Sequence, residues 1–238
     1  MRRYISKYLN EEKILALFTL ALVGLIPLAF PAGQAGLAKF SELALWILVP
    51  ALSVFFGVVL IVKLRHHKQL FNRIVTGAIA GALATLALEL VRQISFHQGW
   101  MPGDMPRLIG VLITDRFMLG PSLLSDFLGY AYHFVNGAAF GIIFSVTFGK
   151  RPIWASLAWG QFIGFGLLIS PVVDSMGIGF MGIEMPSMPI TVVVAHLAWG
   201  LAFGIINARW TTGPGWIFSP VSAMSSHSIP PALETATN

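Results

Sequence analysis

Leu43 to Val62 reads LALWILVPALSVFFGVVLIV, twenty residues without a single charge, bounded by Glu42 and Lys63. A helix needs about 20 mostly apolar residues to cross the hydrocarbon core of a bilayer. This stretch meets that length, and its lone proline (Pro50) is tolerated where neighbouring groups satisfy the freed carbonyl. Five further segments read the same way. The six lie near 14–32, 43–63, 74–95, 127–148, 153–173 and 190–209, with Pro27 in the first and Pro171 in the fifth. Trp46, Trp100, Trp154 and Trp210 fall near segment ends, where indole rings anchor at the interface.

Composition agrees. Of 238 residues, 56% are hydrophobic and 11% charged, against about a quarter charged in soluble domains. The polar groups are too few to coat a water-facing surface. The net charge of +5 sits beside the apolar runs, which fits a topology signal and not a nucleic-acid patch. Cysteine is absent, so disulfides, thiolate metal ligands and thiol catalysis are excluded. No hydrolase, metalloprotease, P-loop or dinucleotide motif is present, so no enzymatic activity is expected.

The basic residues set the expected orientation. With the N-terminus inside, the inner segments hold Arg2, Arg3, Lys7, Lys13, Lys63, Arg65, Lys68, Arg73, Lys150, Arg151 and Arg209. The outer side holds Lys39, Arg92, Arg107 and Arg116. Both termini are then cytoplasmic. Glu11 and Glu12 interrupt the basic start, so the first segment reads as a retained helix and not a cleaved signal. The stretch 64–72 is a basic inner loop, and 211–238, rich in Pro, Ser and Thr, reads as a disordered cytoplasmic tail.

Two segments repeat a pattern. His133-x-x-x-Gly137-x-x-Phe140-Gly141-Ile142-Ile143 matches His196-x-x-x-Gly200-x-x-Phe203-Gly204-Ile205-Ile206 in register. The preceding outer loops match loosely, Met101-Pro102-Gly103-Asp104-Met105-Pro106 with Glu184-Met185-Pro186-Ser187-Met188-Pro189. Segments three and five both carry Gly-x-x-x-Gly, at Gly77/Gly81 and Gly160/Gly164. The predicted fold is therefore an all-α, polytopic transmembrane bundle of six helices. Its core of four helices arises from an internal duplication of a two-helix unit. The expected division is 1–72, two N-terminal helices and the basic loop; 73–149, the first repeat unit; 150–210, the second; and 211–238, the tail. Gly77, Gly81, Gly137, Gly141, Gly160, Gly164, Gly200 and Gly204 are candidate packing positions, because small residues four apart let helix backbones approach closely.

His133 and His196 share helix faces with those glycines and so point at an interface, each about 10 Å inside its helix end. Polar groups inside a membrane are costly, which makes them site candidates. Each imidazole is expected either to hydrogen-bond across a helix interface, to Asn136, Gln161 or a carbonyl, or to ligate a shared cofactor. Two histidines at one depth suit haem iron. Imidazole with thioethers suits copper(I), and Met101, Met105, Met185 and Met188 all fall on the outer side with the histidines. Glu89, Arg92, Asn136 and Asp174 form a candidate polar layer, with Glu89 and Arg92 one turn apart. The site expected from these residues is a small outward-facing cavity lined by His133, His196, Asn136 and Glu89.

The Gly-rich third segment, the Met-Pro loop and the His-x-x-x-Gly-x-x-Phe-Gly helices resemble small bacterial inner-membrane families of unknown function, over roughly 73–209. The resemblance implies a bacterial inner-membrane location and carries over no site residue. The functional expectation is a membrane protein of transporter-like or accessory-subunit type with a His/Met metal site. A haem-bearing electron-transfer subunit and a purely structural subunit of a larger complex are the alternatives. The expected partners are the lipid bilayer and other membrane subunits, with no nucleic acid.

Overall fold

The computed structural model describes residues 11–218. The N-terminal arginines and the tail beyond residue 218 lie outside the described residues. Seven helices carry the architecture: α1 (Glu11–Gln34), α2 (Phe40–Leu64), α3 (Lys68–His97), α4 (Met105–Ile113), α5 (Leu123–Phe148), α6 (Ile153–Leu168) and α7 (Ser187–Trp210). Five of them (α1, α2, α3, α5 and α7) are long and apolar enough to cross a membrane. No β-strand occurs among the described residues.

Three departures from the sequence-based expectation have local causes. The segment expected at 153–173 is helical only over its first 16 residues, about 24 Å at 1.5 Å per residue. It stops because Pro171 disfavours helical geometry at Ser170. The Ser170 hydroxyl then caps a new short helix, Pro171–Asp174, by accepting from the Val172 amide. Second, α4 occupies a stretch expected to be loop. Pro106 opens it within the first turn, and Pro106, Ile109 and Gly110 are buried. Gly110 meets the backbone of Ser125 and Gly129 on α5. Third, residues 211–218 do not leave the bundle. They fold back on the end of α5, where the Gly215 amide donates to Phe148 O (3.0 Å) and the Lys150 amide to Gly213 O (3.0 Å).

In α2 the turn Ala44–Leu48 is a π-turn. Pro50 has no amide hydrogen, and its ring crowds the carbonyl four residues back. The helix answers by widening the preceding turn, so that the Val49 amide reaches Ala44 O.

The helices pack as an arc in the order α1, α5, α3, α7, α6, with α2 against the outside of α1 and α4 against α5. Glycine makes two of these contacts close. A Cβ on Gly77 would lie 2.6 Å from Gly141 O, and one on Gly81 would lie 2.9 Å from the Gly137 carbonyl carbon. In the other half, a Cβ on Gly160 would lie 3.2 Å from Gly200 Cα, and one on Gly200 2.7 Å from Ser156 O. Gly81 and Gly160 thus play the same part against the matched positions Gly137 and Gly200, and Ser156 stands where Gly77 does. Gly164 makes room for a side chain instead of a backbone, since a Cβ there would strike the His196 ring at 2.9 Å from Cγ.

At the end where the Lys and Arg residues gather, Asn207 is fully buried and locks α5 to α7. Its Oδ1 accepts from Ser145 (2.9 Å) and Thr211 (2.6 Å), while its Nδ2 donates to Gly149 O (3.2 Å). The opposite end carries the methionine-rich loops. Helices α1 and α6 stand at the two tips of the arc and are not among the closely packed pairs of described helices.

Candidate functional site

The hollow of the arc is a cavity of about 340 Å3, within the usual range for small-molecule sites, about 300–1,000 Å3. Its back wall is Thr85, Leu88 and Arg92 on α3, with His133 and Asn136 on α5 and His196 on α7 at the sides. The floor is aromatic. Trp159 on α6 donates to Phe140 O on α5 (3.3 Å), and its ring packs edge-on to Phe148 with centroids 6.1 Å apart. Phe144, Phe203 and Trp199 continue this cluster. The methionine-rich end closes the roof. Met101 and Met188 are buried there, and Ser175 beyond the short helix donates to Gln34 of α1 (2.9 Å).

The expected outward mouth is therefore capped. Among the described lining residues, those fully exposed are Leu28 on α1 and Phe162 and Gly166 on α6. All three flank the gap between the tips of the arc, in the methionine-rich half of α1 and α6, so the cavity opens sideways there.

Behind the wall lies a charged cluster. Arg92 donates from Nε to both Glu89 oxygens (2.6 and 3.0 Å) and from Nη2 to Glu89 Oε1. Its Nη2 also lies 3.1 Å from Asp104 Oδ1. Tyr130 donates to Asp104 (3.2 Å) and accepts from Gln93 (2.8 Å). His133 Nε2 approaches Glu89 Oε2 at 3.3 Å. Burying these charges is costly unless they are paired, and the pairing is dense. The cluster is still incomplete: Arg92 is 4% exposed and lines the cavity, and its Nη1, itself sealed from solvent, has no hydrogen-bond partner. The side-chain oxygen of Asn136 is likewise buried and unpartnered.

His196 is held differently. Its Nδ1 sits 2.8 Å from Val192 O one turn back. A carbonyl only accepts, so Nδ1 carries the proton, and in the neutral ring Nε2 is then the atom with the lone pair. Gly164 supplies the space for this rotamer.

Of the sequence candidates, the cavity brings together His133, His196, Asn136, Arg92, Met101, Met105 and Met188. Glu89 lies behind Arg92 and His133 instead of on the wall. Met185 packs with Leu168, Val173 and Met188 away from the cavity, and Asp174 is exposed on the short helix. Gln161 donates to Val193 O (3.1 Å) and does not meet a histidine. Among the described residues no three His, Asp or Glu side chains converge as a metal-holding set. The groups that could hold a soft cation are His196 Nε2 and the thioethers of Met101, Met105 and Met188.

Asp104, Tyr130 and Gln93 are members of the charged cluster that the sequence does not single out. One signal points to Asp104. It is the acidic residue within the Met-Pro loop, close in sequence to Arg92, and a buried guanidinium has more donors than one carboxylate can use.

Comparison of the chain with protein-family models, with curated proteins and with solved structures found no match. The class is thus defined by fold and site alone: a helical bundle with five helices long and apolar enough to cross a membrane and a lined cavity between them.

Proposed function

We propose that the protein is of transporter-like type and holds a small, mostly apolar solute in the cavity between the tips of the helical arc. The observation that carries this reading is the cavity itself, apolar over most of its wall, with the polar residues Arg92, Asn136 and His196 among its lining. Small-molecule sites have this composition, a hydrophobic lining with a few convergent polar groups. The matched glycine contacts of α3 with α5 and of α6 with α7 support an origin by duplication, which would set the site between two related halves. We read the basic end of the bundle as cytoplasmic and the membrane as a bacterial inner membrane.

The absence of cysteine makes a clean test available. Leu88→Cys sits on the cavity wall, whereas Ala80→Cys would be fully buried in the aromatic cluster. In folded protein in mild detergent, N-ethylmaleimide should modify Leu88→Cys and leave Ala80→Cys intact. If Leu88→Cys is as inert as Ala80→Cys, no accessible cavity exists and the reading fails.

A further inference from the structure

We infer that the occupant of the cavity is an uncharged single-chain amphiphile that enters from the bilayer through the gap between α1 and α6. The inference rests on the cavity reading above and adds the route and the chemical class.

The route follows from exposure. Every described lining residue at the methionine-rich end, on the back wall and on the floor is buried or half-buried, while Leu28, Phe162 and Gly166 are open. These three lie on helices that would face hydrocarbon, and two carry large apolar side chains, 64% and 66% exposed. A mouth rimmed by Leu and Phe at that depth meets lipid chains, and a water-soluble solute has no comparable path. Gly166 contributes by omission: a Cβ there would meet nothing within 4 Å. The glycine leaves the doorway wide.

The head group follows from the charges. Glu89 and Asp104 already place two carboxylates against the single guanidinium of Arg92. An anionic head would join two like charges in a low-dielectric setting, which is repulsive. A cationic ammonium would meet the Arg92 guanidinium, which lines the cavity while Glu89 and Asp104 do not. An uncharged hydroxyl meets neither repulsion. It can donate to the His196 Nε2 lone pair. An apolar chain lying against Phe140, Ile163 and Trp199 completes the fit.

The experiment uses the full chain in liposomes of a neutral lipid, with a long-chain alcohol carrying a mid-chain diazirine. Photolysis and peptide mapping should place label on Pro27–Pro31 and Phe162–Leu167. Filling the doorway with Gly166→Phe should abolish that label, and the smaller Gly166→Leu should reduce it, in protein whose far-UV spectrum is unchanged. The permanently anionic alkyl sulfonate with the same diazirine should not label these segments. Equal labelling by the sulfonate overturns the head-group assignment. Label spread evenly over lipid-facing helices, and indifferent to both Gly166 variants, overturns the lateral occupancy. In that case Leu88→Cys reactivity still tests the cavity on its own.

Discussion

Replacing Gly77 with alanine tests the packing logic of the whole bundle. The new Cβ would stand 2.6 Å from Gly141 O and 2.8 Å from Ile142 Cα, both backbone atoms that cannot swing aside. To reach the 3.4 Å at which ordinary contact begins, α3 and α5 must separate locally by about 0.8 Å. A gap of that size forfeits roughly a quarter to a half of the dispersion energy of each atom pair that opens. Over-packing of this kind costs about 1–3 kcal/mol. Alanine also favours the helix over glycine, by about 1 kcal/mol. Gly57→Ala isolates that second effect, because Gly57 lies mid-helix in α2 with nothing within 4 Å of a Cβ. Helix propensity then cancels between the two variants. Gly77→Ala should unfold more readily than Gly57→Ala by about 1–3 kcal/mol, read by far-UV circular dichroism during reversible SDS titration in mixed micelles. Equal stability of the two would refute the close approach of α3 and α5.

Further outcomes can be checked by the same titration. Arg92→Leu leaves Glu89 and Asp104 buried without a cation and should cost about 3 kcal/mol or more, part of which Glu89→Gln in the same chain should restore. Asn207→Ala strips partners from Ser145, Thr211 and Gly149 O and should cost about 1–2 kcal/mol; an unchanged midpoint would show that these bonds do not hold α5 to α7. Tyr132→Phe removes the hydroxyl that donates to Ile26 O (2.7 Å) and should cost about 1 kcal/mol. Lys39→Ala should leave the midpoint unmoved at neutral pH, since its pair with Asp115 is exposed on both sides. The hydrogen bond and charge of Asp115 raise the Lys39 pKa above its ordinary 10.5. Whatever the pair contributes is therefore present at neutral pH and lost only as pH climbs through that raised value.

The spans were legible because lipid imposes one rule, a long apolar run, that does not depend on neighbours. The glycine faces were legible for a related reason: four-residue spacing puts Gly77 with Gly81, and Gly137 with Gly141, on one side of any helix. Their pairing was not. Gly81 against Gly137 and Gly160 against Gly200 shifts the two Gly-x-x-x-Gly motifs by one turn relative to each other, and Ser156 completes the second set. The end of α6 at Leu168 turned on Ser170-Pro171, a local signal that the apolar run concealed. The helix at 105–113 was hidden by its prolines, which suit a first turn as well as a loop. Asp104 joins Arg92 only because the 98–104 loop folds back over α3, and Tyr130 joins from α5. The sideways mouth is a property of which helices fail to touch, and no single segment encodes that.

The shortness of α6 has a mechanical consequence. At about 24 Å it falls short of the roughly 30 Å of hydrocarbon it would have to match. A bilayer meeting a short helix thins, or the residues flanking the helix snorkel to the interface, and each ångström of mismatch carries a small energy. Here the short helix is also one jamb of the doorway, fixed to the rest of the bundle chiefly through α7. A change of acyl-chain length in the surrounding lipid should therefore alter how far the inferred doorway stands open.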